Sequence, residues 1–310
     1  MDDFPLQLPK AELHIHLEGS AEPETLHELD PATPVEEFRS LYRYADFDAF
    51  LKVFAAIGKL LRTPADYALV TRRLLDRLAA QNVRYAEITL AAGVVLWKGQ
   101  EFAPVFDAVS EAARGSPVEV RWILDAVRQF GPEPAQRVAE LAAERADRGV
   151  VAFGFGGSEE RGPAYWFGDA AARARLAGLH LTVHAGETMG PESVWAALRL
   201  GAEPIGHGIR AIEDPTLVAH LRQHRIPLEI CITSNLVTGV VPRIEDHPVR
   251  RLYDAGVPIV LNTDDPAMFG CTLTGEYQLA ARAFGFSEAE LRGIAENGFR
   301  YAFGGASRSI

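Results

Sequence analysis

Runs of apolar residues punctuate the chain, and between them the apolar positions change from near-continuous to every third or fourth residue. The runs are "ELHIHL" (12–17), "VRYAEITLA" (83–91), "EVRWILDA" (119–126), "VVAFGFGG" (150–157), "HLTVHAGE" (180–187), "PIGHG" (204–208), "PLEICITS" (227–234) and "PIVLNTDD" (258–265). Several are almost wholly apolar, the pattern of parallel strands covered on both faces. In the segment "DYALVTRRLLDRLAAQ", Tyr67, Val70, Leu74 and Leu78 share one helical face while Arg72, Arg73 and Asp76 lie elsewhere. The segment "PEPAQRVAELAAERADRG" opens on prolines suited to a helix start and stops at Gly149. In "SEAELRGIAENGFRYAF", Ser287 is placed as N-cap with Glu290 three residues on, a capping box.

Eight strand–helix units in succession predict an α/β fold, a closed (β/α)8 TIM barrel rather than an open sheet. Residues 20–82 form the longest excursion and follow the first strand directly, so extra helices there are expected to cover the barrel mouth as a lid. No linker or shift of composition divides the chain, and residues 1–310 are expected to form a single domain.

Composition supports this picture: 48% hydrophobic and 24% charged residues can bury a large core without any disordered tract. The 42 acidic against 31 basic residues give a formal charge of −11 with no basic stripe, which argues against a nucleic-acid partner. Cys231 and Cys271 stand far apart without a CxxC, so no disulfide framework is expected and a reducing compartment fits. The start "MDDFPLQLPK" does not read as a signal peptide, and runs such as "LAAGVVLW" (90–97) are too short to span a bilayer. A cytoplasmic protein without a membrane partner is the expectation; the sequence is silent on oligomeric state.

The chemistry gathers at predicted strand ends, where such barrels build their sites. The first run ends in His14-Ile15-His16, the fifth in His184-Ala185-Gly186-Glu187, the sixth in Gly206-His207-Gly208 and the eighth in Asp264-Asp265-Pro266. Side chains at i and i+2 of a strand share one side, so His14 and His16 are placed to grip one ion. Imidazole and carboxylate are zinc ligands, and His184 with one of Asp264 or Asp265 would complete a shell with room for water. Each fragment alone has an ordinary structural explanation, such as paired strand histidines, a helix-start carboxylate at Glu187 or an Asp-capped turn. Their convergence on one rim is what favours a site. His27, His180, His220, His224 and His247 fall in helical or loop contexts and read as surface or packing residues, and "GFGG" (154–157) lacks the dinucleotide-binding spacing.

The segments "PKAELHIHLEGS", "HAGE", "IGHG", "CITSN" and "LNTDDP" occur in the order and spacing of the adenosine deaminase family, a branch of the metal-dependent amidohydrolase barrels, and the resemblance runs from about Leu8 to Phe303. It implies one zinc ion per chain with His14, His16, His184 and Asp264 as ligands. It further implies that His207 orients and deprotonates the attacking water and that Glu187 protonates ring nitrogen N1. Asp265 would hydrogen-bond N7, and the backbone of Gly157 would meet N3. The activity implied is hydrolytic removal of the 6-amino group of an adenine nucleoside, with ammonia released. The cytidine-type signature H-x-E with P-C-x-x-C is absent.

The chain departs from the family pattern where the substrate's 5′ end would lie. Glu18 stands where adenosine-acting relatives usually carry an Asp that contacts the 5′-hydroxyl. Relatives acting on free adenine also have Glu there, but they usually have Asp where this chain has Gly206. Gly154 replaces another common Asp, and "EITLAAGVVLW" lacks the usual Arg-Tyr-Ser-Pro. Adenosine-type nucleosides, 6-amino-6-deoxyfutalosine with its aromatic 5′ extension, and free adenine are the substrates the resemblance leaves open. Outside the class stand a two-metal hydrolase, disfavoured because "VVAFGFGG" has no bridging Lys or carboxylate, and an inactive binding barrel, which would be expected to have eroded motifs.

Overall fold

A computed structural model describes residues 4–305. Its eight parallel strands pair in chain order as β1 (Lys10–His16), β2 (Val83–Leu90), β3 (Glu119–Val127), β4 (Val150–Gly156), β5 (His180–Ala185), β6 (Ile205–His207), β7 (Leu228–Ile230) and β8 (Ile259–Leu261). The ring closes between β8 and β1 through a bridge at Ile15 and Asp264, with His16 N donating to Asp264 O at 2.8 Å and Asp264 N to His14 O at 2.9 Å. Asn262 adds a side-chain acceptor for Leu13 N at 2.8 Å. The expected (β/α)8 barrel is therefore the observed fold, and its seam lies between two of the motifs that carry the chemistry.

The helical expectations follow their patterns. Tyr67, Val70, Leu74 and Leu78 are buried on the helix Pro64–Ala80. Ser287 and Glu290 form the reciprocal capping box of the helix Glu288–Tyr301. The helix from Pro132 ends earlier than Gly149, at Ala143, and a short 3₁₀ turn precedes Gly149, whose φ of 88° turns the chain into β4. The excursion after β1 contains the helices Pro23–Leu29, Val35–Leu41, Phe47–Leu60 and Pro64–Ala80.

Two apolar runs are shorter as strands than their patterns suggest. The seventh stops at Ile230, and Ile232–Val237 is a helix; the eighth is extended only over Ile259–Leu261. A short fully buried helix and a buried strand have the same continuous apolar signature, so periodicity could not separate them. β1 also carries one extra residue relative to β2 between Glu12 and Ile15, a bulge at the site's edge where side chains are re-aimed.

The core is mainly the layer between barrel and helices, but several acids are buried with it. Glu87 on β2 accepts hydrogen bonds from Tyr85 Oη and Phe303 N, each at 2.6 Å, and burial pushes its pKa from 4.5 up to about 8. Below pH 4.5 the folded and unfolded chains both hold this proton; between pH 4.5 and 8 only the folded chain does, so stability falls as pH rises across that window. Glu87→Gln is expected to remove on the order of 2–4 kcal/mol of the pH 5-to-8 loss. Urea unfolding of both proteins at pH 5 and pH 8 measures this, and parallel losses would contradict it.

Candidate active site

The carboxyl ends of β1, β5, β6 and β8 bring the candidate residues together. His14 Nε2 and His16 Nε2 lie 3.4 and 3.3 Å from Asp264 Oδ1, and His16 Nε2 lies 3.1 Å from His184 Nε2. A tetrahedral zinc with bonds of 2.0–2.1 Å has ligand–ligand edges of about 3.3 Å, and these three separations are close to that edge. His207 Nε2 is 3.8 Å from both Asp264 Oδ2 and Glu187 Oε2, and ligand atoms of His14, His184, His207 and Asp264 all lie within 4.8 Å of one another, so His207 belongs to the same cluster. His14 Nε2 and His207 Nε2 are buried with no hydrogen-bond partner among the described residues, as expected of nitrogens aimed at a cation or a substrate. The donor set fits a zinc-type metal.

Neighbouring groups fix each ring. His14 Nδ1 pairs with Glu229 Oε2 at 3.0 Å, which directs Nε2 inward. His207 Nδ1 is 3.2 Å from Asn235 Nδ2, and Asn235 Oδ1 is 3.2 Å from His247 Nε2. Ser234 Oγ donates to Asp264 Oδ2 at 2.7 Å. The loop after β5 is clamped by buried Glu159, which accepts from the amides of Gly186, Glu187 and Thr188 at 2.7–3.0 Å. Buried Arg128 donates to the His184 carbonyl and lies 4.8 Å over the Phe155 ring.

Backbone geometry is specialised here as well. His207 and Asp264 have φ of 59° and 64°, left-handed values that non-glycine residues adopt at a cost when surrounding structure holds them. Glycines make space: a Cβ on Gly206 would lie 2.9 Å from the His14 ring, and one on Gly19 would lie 1.7 Å from Asp265 Oδ1. An Asp at position 206 would therefore displace His14.

Protonation states separate the carboxyls into roles. Burial opposes ionisation of Asp264, but His14 and His16 outweigh it and hold the carboxyl well below its ordinary range. Burial, reinforced by the charge of Asp264, pushes the adjacent Asp265 well up, and Asp265 Oδ1 has no hydrogen-bond partner among the described residues. Burial, with Asp264 and Glu159 nearby, likewise raises Glu187 well above an ordinary Glu. His207 is driven down to about 3 by burial and is a neutral imidazole at working pH.

One cavity opens onto this cluster. Its polar floor includes His16, His184, Glu187, His207, Asp264 and Asp265, and Gly157 (φ 96°) lines it too. Its outer wall is apolar: Phe47, Phe50, Leu51 and Phe54 come from the helix Phe47–Leu60, opposite Trp97 and Phe130, whose rings stack with centroids 5.7 Å apart. The predicted covering segment thus does wall the mouth.

Glu18 is fully buried, and its carboxylate accepts from Ala91 N at 3.1 Å; it is not among the residues lining the cavity. Glu229, Glu159, Asn235 and Asp125, which also lines the cavity, were given no role from sequence, and His247, read as a surface or packing residue, is a buried packing residue paired with Asn235. The available signal was a carboxylate interrupting an apolar run, as in "PLEICI" and "WILDAV", and the polar end of "CITSN".

The chain is similar to known proteins along nearly its whole length. The family profile described as Adenosine deaminase matches residues 9–309. An aminodeoxyfutalosine deaminase of Streptomyces avermitilis is 41% identical, the alignment covering 98% of this chain and 88% of the relative. An adenine deaminase of Rhizobium leguminosarum bv. trifolii is 38% identical over 96% of this chain and 95% of its own. The crystal structure of an amidohydrolase from Burkholderia ambifaria with bound zinc superposes with a TM-score of 0.90 at 27% identity, covering 97% of this chain and 87% of that one.

Proposed function

The chain belongs to the adenosine deaminase family, and from that premise we propose that it removes the 6-amino group of aminodeoxyfutalosine, an adenine nucleoside extended at its 5′ end by an aromatic group. Deamination of an adenine-type substrate is the activity common to the relatives named above. The observation that carries the choice of substrate is the mouth of the cavity. Glu18 accepts from Ala91 N and does not line the cavity, and the outer wall is aromatic and aliphatic. Burying an aromatic group on such a wall is worth about 1.5–3 kcal/mol, or about 10- to 100-fold in affinity. Free adenine would leave that wall wet.

In this reading His14, His16, His184 and Asp264 hold one zinc ion. Bound there, zinc would supply the Lewis acidity that lowers a water's pKa from 15.7 to about 7. His207, neutral and with its hydrogen on Nδ1 facing the Asn235 amide turned oxygen-first toward it, accepts at Nε2 a proton from the water that adds at C6. Glu187, held neutral by burial, gives its proton to N1 as the ring loses conjugation. His207 then returns its proton to the amine, ammonia leaves, and the new C6 hydroxyl loses its proton to the Glu187 carboxylate, leaving a 6-oxopurine. Asp265, also neutral, donates to N7, and the Gly157 backbone meets N3.

Glu229 orients His14, so Glu229→Gln is expected to weaken zinc binding about 10- to 100-fold; competition with a chromophoric chelator measures it. The substrate assignment is tested by kcat/KM for aminodeoxyfutalosine, adenosine and adenine, followed as ammonia release. The expected result is a preference for aminodeoxyfutalosine over either of the others of about tenfold or more. A higher value for adenine would overturn the assignment while leaving the deaminase intact.

A further inference from the structure

Asp125 belongs to none of the steps above. It stands near the end of β3, directly across from Gly154 of β4 in the strand register, and its side chain lines the substrate cavity. It is 6% exposed, and no described residue gives it a hydrogen bond. A carboxyl withdrawn from water without partners is costly, and such sites are ordinarily completed by a ligand. The bare backbone at Gly154 gives it room: a Cβ there would sit 3.0 Å from Asp125 Oδ1, tighter than ordinary contact. The family's usual β4 carboxylate would therefore press against the one that this chain carries on β3.

We propose that Asp125 is the ribose-recognition residue, its two carboxylate oxygens accepting hydrogen bonds from the vicinal 2′- and 3′-hydroxyls of the substrate. The inference rests on the deaminase reading above. Its chemistry follows from complementarity of donors and acceptors. Burial pushes Asp125 up to about 7 in the empty cavity; a cis-diol presents two donors at the spacing of its oxygens and draws the carboxyl to its ionised form, whereas N1, N3 and N7 of the purine are acceptors and pair only with the protonated form. The neighbouring wall repeats the pattern: Gln129 Oε1, four residues further along the chain, is buried without a partner and also faces the cavity. Glu18, another buried carboxyl near Asp125, is already engaged by Ala91 N. Asp125 and Gln129 line the cavity as acceptors without a hydrogen-bond partner among the described residues.

The test uses the zinc-loaded enzyme and its Asp125→Asn and Asp125→Ala variants with adenosine, 2′-deoxyadenosine, 3′-deoxyadenosine and adenine. Each compound is measured by kcat/KM where it turns over, and otherwise by its inhibition constant against the preferred substrate. Wild type should favour the ribonucleoside over each deoxy form by about 10- to 100-fold, and both variants should bring that preference to within a few-fold. The ratio is internal to each preparation, so partial unfolding of a variant does not move it. A ribose preference that survives in Asp125→Asn, or one absent from wild type, overturns the proposal. So does an equal loss on all four compounds, which would put Asp125 on the part they share, the base. If no 6-aminopurine is either turned over or bound, the deaminase reading itself fails and this inference falls with it.

Discussion

Replacing Glu187 by Gln is expected to lower kcat by about 10²- to 10⁴-fold, with KM changed only a few-fold and the zinc content and thermal midpoint of wild type retained. Glu187 is 3% exposed, its pKa is raised by burial, and its backbone is fixed by Glu159. Gln keeps the volume and an N–H that can face N1, so binding and fold survive. What it lacks is an acidic proton to transfer when C6 becomes tetrahedral. Steady-state kinetics with ammonia detection, beside calorimetry and metal analysis, distinguish the cases. A variant that retains kcat within about tenfold would remove Glu187 from proton transfer.

Asp264→Asn is expected to be equally damaging by a different route, losing zinc and with it at least about 10³ in rate, since metal polarisation is worth several kcal/mol. The Asp264 side chain lies within 3.4 Å of both His14 and His16 and accepts from Ser234. An amide there is a neutral and much poorer ligand. The barrel seam depends on main-chain atoms of the same residue, Asp264 N and O, which the substitution leaves in place. The variant should therefore fold, bind zinc weakly and recover part of its activity in excess metal. Full zinc occupancy at a stoichiometric dose would contradict the ligand assignment.

Much of this site could be read from the sequence because its parts are short and sit on regular elements. His14 and His16, two residues apart at the end of an apolar run, already imply convergence, and the (β/α)8 order puts β5, β6 and β8 on the same rim. The supporting residues could not be read in this way. Glu229 reaches His14 across 215 residues of sequence, and Glu159 meets the loop after β5 through backbone amides, which any sequence would offer. Asp125 gains its meaning only beside Gly154, a pairing fixed by strand register. The helix Ile232–Val237 was hidden because Ile and Thr in a buried run favour strands by propensity, whereas tertiary contacts decided otherwise: Thr233 N donates to buried Glu276 at 3.1 Å.

The most direct test is a zinc titration of metal-free protein, with ammonia release from its best 6-aminopurine substrate followed at each addition. Activity should rise linearly from the metal-free baseline and level off at one equivalent per chain. Full turnover by the metal-free protein, or a plateau only at two equivalents, would contradict a deaminase built on one cation held by His14, His16, His184 and Asp264.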